Sequence, residues 1–188
     1  MVHAKIFFIT ILLSILTISI FSFGASKEEQ QKEIRNNTTN ILAQLYKAQP
    51  SAKAAIQKAA GYGVFSNFGL KIFFAGGGSG KGLVFNQATK KETFMKMIEV
   101  QAGLGLGAKK FRLIFVFENQ KTLNQFVNSG WEAGAQATVA AKTGESGAAY
   151  QGAMAVSPGV WLYQLTDEGL AAEATIKGTK YYKDDKLN

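Results

Sequence analysis

A glycine-rich segment with one lysine is the first place in this sequence where the residue types are suited to holding a ligand. The segment Ala75–Gly82 contains five glycines and Lys81, and consecutive backbone N–H groups beside a lysine can hold a phosphate. A nucleotide-binding loop, however, requires a glycine where Ala75 stands and a magnesium-binding hydroxyl where Gly82 stands. The following residues have strand composition, so no helix N-terminus faces the phosphate. We therefore predict that the protein binds no nucleotide.

A second glycine pattern, Gly103-x-Gly105-x-x-Ala108, matches the loose form of a dinucleotide-binding fingerprint. That fingerprint requires a helix directly after the glycines, within a βαβ unit. Here Phe111–Phe117 follows, and its composition is that of another strand. The sequence therefore predicts no cofactor.

Groups for acid–base or metal chemistry are scarce. The 188 residues include no cysteine, and the one histidine is His3, so the commonest general base and most transition-metal ligands are missing from the rest of the chain. The remaining acids that could act together are Asp167 with Glu168, Asp184 with Asp185, and Glu118. Adjacent residues on a strand point to opposite faces, so we predict solvated charges, no metal site and no enzyme. An enzyme using acid residues is the alternative, and it requires two converging carboxylates in a deep pocket.

Basic residues near the glycine-rich turns are better candidates for ligand contact. The formal net charge is +8, and removal of residues 1–24 takes away only Lys5 and leaves +7. This excess favours anionic lipid head groups, acidic glycans or another acidic surface, and no nucleic-acid motif accompanies it. The basic residues in or beside the first predicted strands are Lys71, Lys81, Lys90, Lys91, Lys109, Lys110 and Arg112. Lysines that only keep the protein soluble are the alternative.

Met1–Gly24 has the features of a secretory signal peptide. Lys5 lies in a short basic start, and an apolar run extends over Ile6–Ile20. We predict export to the periplasm or cell envelope, with cleavage after Gly24 or Ala25, which also removes the chain from cytoplasmic nucleic acid. An uncleaved membrane anchor is the alternative, because the 18 residues of Ile6–Phe23 are near the lower limit of about 17 residues for spanning a bilayer.

The residues after the signal segment have helical spacing. Ser26–Ala48 is predicted to be a helix whose apolar face carries Ile34, Ile41, Leu42, Leu45 and Tyr46. A second, alanine-rich helix is predicted between Pro50 and Gly61. We expect both helices to cover a sheet, because the first has mixed charge; a helix lying on a membrane surface is the alternative.

Beyond Gly61, segments of strand composition recur at short intervals. They are Tyr62–Ser66, Leu70–Ala75, Gly82–Asn86, Thr93–Val100, Gly103–Ala108 and Phe111–Glu118. The glycine block after Leu70–Ala75 predicts a tight connection within an antiparallel pair. The alternating glycines of 103–107 predict a flat strand face that another element approaches closely.

One short helix interrupts the strands at Asn119–Asn128, with Asn119 as its N-cap and Gly130 as its C-terminal stop. The small residues of Glu132–Val156 predict a hairpin. The last two strands are predicted at Val160–Leu165 and Leu170–Ile176, and a turn at Asp167–Gly169 joins them.

Together these elements predict an α+β protein. It is an antiparallel, β-rich barrel- or sandwich-like domain with an N-terminal helix or helix pair and one short internal helix. The predicted organisation is a signal peptide at 1–24, a helical segment at 25–60, the β-rich domain at 61–182 and a polar tail at 183–188.

The order and spacing of several of these segments resemble the SYLF domain family, specifically its bacterial exported members. The matching segments, spread over about residues 40–182, are Gly61–Phe65, the glycine block through Gly82, Gly103–Gly107, Gly130–Trp131, Tyr163–Leu170 and Gly178–Lys180. The resemblance implies a lipid-binding module; eukaryotic relatives are associated with phosphoinositide-containing membranes and with actin. It also implies that basic residues at Lys47, Lys53 and Lys58, with Lys71 and Lys81, contact lipid. Many members have a glycine-proline-valine-glycine-arginine turn where this chain has Lys142–Gly147, which argues against phosphoinositide specificity.

We therefore expect an exported, non-enzymatic module that contacts an anionic lipid or phospholipid membrane surface through lysines. The candidate lipid-binding residues are Lys47, Lys53, Lys58, Lys71, Lys81, Lys109 and Lys110. The alternative is a structural or protein-interaction envelope protein without a specific lipid ligand, whose flat glycine and alanine faces pack against a protein partner.

Overall fold

The computed structural model describes residues 25–72, 75–102, 107–109, 112–133, 148–171 and 178–188. The helices are α1 (Lys27–Ala48), α2 (Ser51–Lys58) and α3 (Gln120–Ser129). The strands are β1 (Gly61–Ile72), β2 (Ala75–Asn86), β3 (Glu92–Ala102), β4 (Gly107–Lys109), β5 (Arg112–Phe117), β6 (Trp131–Ala133), β7 (Met154–Ser157), β8 (Val160–Thr166), β9 (Gly169–Leu170) and β10 (Thr179–Lys183). Within these ranges no helix has both the length and the apolar composition needed to cross a membrane.

Local hydrogen bonds set the ends of two predicted helices. The Ser26 hydroxyl accepts from the backbone N–H of Glu29, and the Glu29 carboxylate accepts from the Ser26 N–H, so α1 begins with a complete capping box. At α3, the Asn119 side chain accepts from the Thr122 N–H at 3.0 Å. Gly130 ends α3 with a φ of 71°, where a side chain is strained. Both predicted helices, and the cap and stop of α3, are confirmed.

The described strands form one antiparallel sheet in the order β6-β10-β3-β2-β1-β5-β8-β7, with β4 beside β1 and β9 beside β8. Four strand steps separate β10 from β5, which would place them roughly 19 Å apart in a flat sheet. The rings of Tyr181 on β10 and Phe115 on β5 nevertheless have centroids 5.1 Å apart. The sheet is therefore curled into a half-barrel, and the predicted α+β class with a barrel-like antiparallel sheet is confirmed.

The glycine block does not form the connection between the first two strands, and that prediction is wrong. Gly76–Gly78 lies inside β2, paired with Gly69–Lys71 of β1, and the pairing continues to Ile72 opposite Ala75. The predicted strands Tyr62–Ser66 and Leu70–Ala75 are largely one strand, β1. Glycine-rich segments are typical of turns. Glycine nevertheless has a backbone N–H donor and a C=O acceptor, so it can pair with a neighbouring strand in a sheet.

Aromatic residues fill the concave side of the curled sheet. Phe65, Phe115 and Tyr181 come from different strands and are all fully buried, with ring centroids 4.9 to 5.9 Å apart. Helix α3 adds Phe126, whose ring is 5.3 Å from that of Phe115. We call this cluster the concave core.

Helices α1 and α2 cover the opposite side of the sheet, which we call the helix face. Ile41 and Leu45 of α1 and Ile56 of α2 pack with Ile114 and Tyr163 of the strands. Along β5, alternate residues serve the two sides, so the strand is apolar throughout although only one set faces the concave core.

The last residues pack against α1. Within 183–188, predicted to be a polar tail, Asp184 is 3% exposed and Leu187 is 2% exposed. The Gln31 side chain on α1 donates to the Leu187 carbonyl at 2.7 Å. This segment therefore contributes to the packing of the N-terminal half of α1.

Some predicted features lie outside the described residues. They are the signal segment, most of the glycine strand at 103–108, the turn of the small-residue hairpin within 134–147, and the end of the last predicted strand at 172–177.

Candidate functional site

A cleft of about 490 Å³ lies between the N-terminal half of α1 and the helix face of β2, β3 and β10. We call it the α1 cleft. Its lining includes Glu33, Ile34 and Asn37 of α1, Ser66 of β1, Ser79, Gly80 and Lys81 of β2, Lys96 and Ile98 of β3, and Tyr182 of β10.

Strand register brings the cationic side of the α1 cleft together. Lys81 lies directly opposite Lys96, and Lys96 directly opposite Tyr182. Residues opposite each other in antiparallel strands share a face and have Cβ atoms about 5 Å apart. Like charges on directly opposite residues repel each other, so a compensating contact to either lysine is favourable.

Lys96 finds that contact in a buried carboxylate. Its ammonium lies 2.9 Å from Oδ1 of Asp184, with side-chain exposures of 33% and 3%. The hydrogen bond to Asp184 raises the pKa of Lys96 above its ordinary value, although partial burial acts in the opposite direction. Lys96 is thus a fixed cation whose charge is largely balanced within the protein.

Lys81 is the more available cation. Its ammonium donates to the side-chain oxygen of Gln30 at 2.7 Å, a neutral partner. None of the ion pairs among the described residues includes Lys81, and its side chain is exposed. A ligand anion in the α1 cleft would therefore meet an uncompensated positive charge at Lys81.

The α1 cleft also has an apolar wall. Ile98 is 43% exposed, and among the described side chains it is the one large hydrophobic residue classed as exposed. It lies two residues beyond Lys96 on the same face of β3. Ile34 contributes from α1. A cation beside accessible aliphatic surface suits an amphiphile, because each part of such a ligand meets matching chemistry.

Polar contacts hold the N-terminal half of α1 over the sheet. Asn37 donates to the Ser66 hydroxyl at 2.7 Å, and Arg35 donates to the Glu92 carboxylate at 2.7 Å. The helix thereby forms one wall of the α1 cleft without filling it.

A second cleft, of about 480 Å³, lies on the other side of α1. Its lining includes the cations Arg35, Lys90, Lys91 and Lys183, with Glu92 as the acid. We call it the basic cleft. Arg35 is paired with Glu92, and the ammonium of Lys183 donates to Asn128 of α3 at 2.9 Å. Lys90 and Lys91 therefore dominate the electrostatic potential of the basic cleft.

The structure brings together only part of the predicted lysine set. Lys47 lies in the last turn of α1, and Lys53 and Lys58 lie on α2; all three are exposed and none lines the α1 cleft. Among the predicted lysines whose side chains the structure describes, Lys81 alone lines the cleft.

Two further predicted lysines lie beyond the α1 cleft. Lys71 on β1 pairs with Gly107, and Lys109 on β4 pairs with Gly69, so both are at the same end of β1. Lys110 lies outside the described residues. The assignment of lipid contact to these lysines stays a prediction.

Sequence reasoning missed Lys96, Ile98 and Tyr182. One signal was present: Phe94, Lys96 and Ile98 alternate along β3, so a lysine shares one strand face with two apolar residues. The opposition of Lys96 to Lys81 depends on pairing between strands, which that alternation does not specify.

The acids do not converge in a catalytic arrangement in the described part of the chain. Asp167 pairs with Arg112 at 3.0 Å, and Asp184 pairs with Lys96. Over the same residues, no group of three or more histidine, cysteine or acidic side chains is placed to hold a metal ion.

Comparison with known proteins adds a family assignment. Residues 98–188 match the family model Ysc84, described as "Las17-binding protein actin regulator". The protein named beta cell expansion factor A from Aeromonas veronii is 34% identical over 164 residues, which is 85% of this chain and 59% of that relative. The chain therefore spans less than two thirds of the relative's length.

Proposed function

The chain carries a domain of the Ysc84 (SYLF) family over residues 98–188, and from that premise we propose that it is an exported, non-enzymatic module that binds anionic lipid at a membrane surface. The family is a lipid-binding type of module and is not a known enzyme family. The proposal adds the lysine contact, the anionic partner and the envelope location.

The α1 cleft is the observation that carries the proposal. It combines the unpaired ammonium of Lys81 with the exposed aliphatic side chain of Ile98 in one concavity. A lipid has the same two parts, a charged head group joined to hydrocarbon. Binding of a soluble anion alone would leave the apolar wall unused.

The wider charge distribution supports attraction to an anionic surface. The basic cleft adds Lys90 and Lys91 on the other flank of α1, and the chain has a net charge of +8. Each lysine near an anionic leaflet contributes about 1 kcal/mol, within a Debye length of about 10 Å. These residues would hold the module at the surface while the α1 cleft contacts an individual lipid.

Vesicle co-sedimentation of the full chain tests the proposal. Vesicles of phosphatidylcholine with and without phosphatidylglycerol separate head-group charge from general lipid affinity, and a salt series measures the electrostatic part. Because every variant keeps residues 1–24, differences between variants report on the folded domain. We expect binding that requires phosphatidylglycerol and weakens with salt.

The matched variants are Lys81→Glu in the α1 cleft and Lys121→Glu on α3, since both lysines are exposed and the second packs on the opposite side of the sheet. Lys81→Glu should weaken binding about tenfold or more, because it reverses a charge worth about 1 kcal/mol. Lys121→Glu should have less than a third of that effect. Equal losses would show that net charge alone, without the α1 cleft, governs binding.

Export rests on the composition of Met1–Gly24. N-terminal sequencing of the protein from the periplasmic fraction should find a chain that begins at Ala25 or Ser26. An intact Met1 in the membrane fraction would instead support an uncleaved anchor.

Protein interaction is the second candidate, because the matching family is described as Las17-binding and actin-regulating. A structural envelope protein would associate with a protein partner without dependence on lipid. Self-association of the full chain at low micromolar concentration, unchanged by Lys81→Glu and accompanied by no vesicle binding, would favour this candidate.

A further inference from the structure

An acid faces the two cations of the α1 cleft. Glu33 contributes to the cleft from α1, whereas Lys81 and Lys96 contribute from the strands. The Glu33 side chain is exposed, and the ion pairs formed within the described ranges do not include it. The cleft therefore carries unpaired charge of both signs, at Lys81 and at Glu33.

The charges of the α1 cleft balance. Asp184 compensates Lys96 at 2.9 Å, and Glu33 remains to oppose Lys81. A purely anionic head group would be attracted by Lys81 but would lose part of that attraction to repulsion by Glu33, whereas a head group with both signs would gain at both. The basic cleft differs, because its lining has four cations against one acid.

From this charge arrangement we infer that the α1 cleft selects a zwitterionic aminophospholipid, a phosphodiester head group that ends in a primary ammonium, such as phosphatidylethanolamine. The phosphodiester would accept from Lys81, and the ammonium would donate to Glu33. Asn37 lies one helical turn from Glu33 on the same side of α1, and its side-chain oxygen is a further acceptor for the ammonium.

The apolar wall extends this assignment to a lipid. Ile98 offers accessible aliphatic surface in the same cleft, where the glycerol backbone and the first methylene groups would lie. The inference rests on the proposed function and deepens it: the basic residues around α1 attract the module to an anionic membrane, and the α1 cleft holds a lipid with both charges.

Soluble head groups test the selectivity without a membrane. The full chain is titrated by calorimetry with glycerophosphoethanolamine and with glycerophosphoglycerol, which is similar in size but carries no ammonium. The variant is Glu33→Gln. The control is Glu28→Gln, an exposed acid in the first turn of the same helix that does not line the α1 cleft.

The original chain should prefer glycerophosphoethanolamine by about tenfold, the effect of one charge-assisted contact. Glu33→Gln should reduce that preference to less than about twofold, through weaker binding of glycerophosphoethanolamine and equal or stronger binding of glycerophosphoglycerol. Glu28→Gln should keep the preference. Because Glu33 is exposed, the variant should fold normally, which its thermal unfolding curve will verify.

Equal affinity of the original chain for the two head groups, binding of neither, or a preference that survives Glu33→Gln would each overturn the inference. These outcomes are distinct from failure of the proposed function. That failure would appear in the vesicle assay, as binding without dependence on phosphatidylglycerol or on Lys81. Vesicle binding that is intact while head-group preference is absent would overturn the inference alone.

Discussion

The two sides of the sheet differ in how tightly their side chains are packed. The concave core packs Phe65, Phe115 and Tyr181 at full burial. On the helix face, the N-terminal half of α1 is held by a small apolar cluster of Ile34, Leu83, Phe94 and Leu187. Polar contacts add to it, including those of Arg35 with Glu92 and Asn37 with Ser66. The concave core thus contributes to stability alone, whereas the helix face also carries the α1 cleft, and mutations in the concave core and at Lys81 should have separable effects.

Truncation in the concave core should produce the largest loss of stability. Phe115→Ala removes a fully buried ring that contacts Phe65, Phe126 and Tyr181, and it should cost about 3–5 kcal/mol in urea unfolding. Phe115→Leu, which keeps most of the apolar volume, should cost about 1–1.5 kcal/mol. At temperatures where the variants remain folded, vesicle binding should be unchanged. Loss of vesicle binding by a folded variant would show that the concave core also takes part in ligand contact.

Substitution of the two lysines of the α1 cleft, Lys96 and Lys81, should have different effects on stability. Lys96→Met leaves the carboxylate of Asp184 buried without its cation. The cost should be about 2–3 kcal/mol, below the 3–5 kcal/mol of a fully buried pair because the ammonium is one third exposed.

Lys81→Met removes an exposed ammonium with a neutral partner, and it should change stability by less than about 0.5 kcal/mol. Urea unfolding measures both changes, and vesicle binding should fall for Lys81→Met. Equal destabilisation by the two variants would contradict the roles given to them.

A substitution without loss of stability is expected at Tyr163, which lies in the apolar core beneath the C-terminal half of α1 on the helix face. Its hydroxyl is buried and has no hydrogen-bond partner among the described residues. Tyr163→Phe should therefore be neutral or stabilising by about 1 kcal/mol at pH 7.

The same variant has a pH signature. Burial, and then the nearby Tyr150, raise the pKa of Tyr163 to about 12 from 10.0. A raised pKa favours the neutral hydroxyl in the folded state, so its contribution to stability is complete below pH 10 and is lost as pH rises toward 12. Unfolding free energies at pH 9 and pH 11.5 should show a smaller alkaline loss for Tyr163→Phe than for the original chain. Identical losses would contradict the burial of this hydroxyl.

Elements with local signals were predicted well. The ends of α1 and α3 follow from Ser26, Glu29, Asn119 and Gly130, because each acts on backbone groups within a few residues. The glycine block was predicted to be a turn, but glycines are equally typical of turns and of closely packed strands. Only the pairing of the block with β1 shows that it is a strand.

The candidate site was predicted less well. Lys81 was found from its glycine-rich surroundings. Lys96 and Ile98 of β3 and Glu33 of α1 were missed because they lie on other elements than Lys81. Their proximity to Lys81 requires both the register of β2 with β3 and the packing of α1 on the sheet.

The sequence by itself determined which types of contact are possible, because the chain is cationic, has no cysteine and has no histidine beyond His3. Its capping residues and the spacing of its apolar residues also specified the helices and the α+β class. Only the tertiary structure decided which charges share a cleft. Strand pairing set Lys81 beside Lys96, and packing of α1 set Glu33 facing them. The physical reason is range: caps and turns act over three or four residues along the chain, whereas the balance of charge in a cleft depends on residues that only folding brings together.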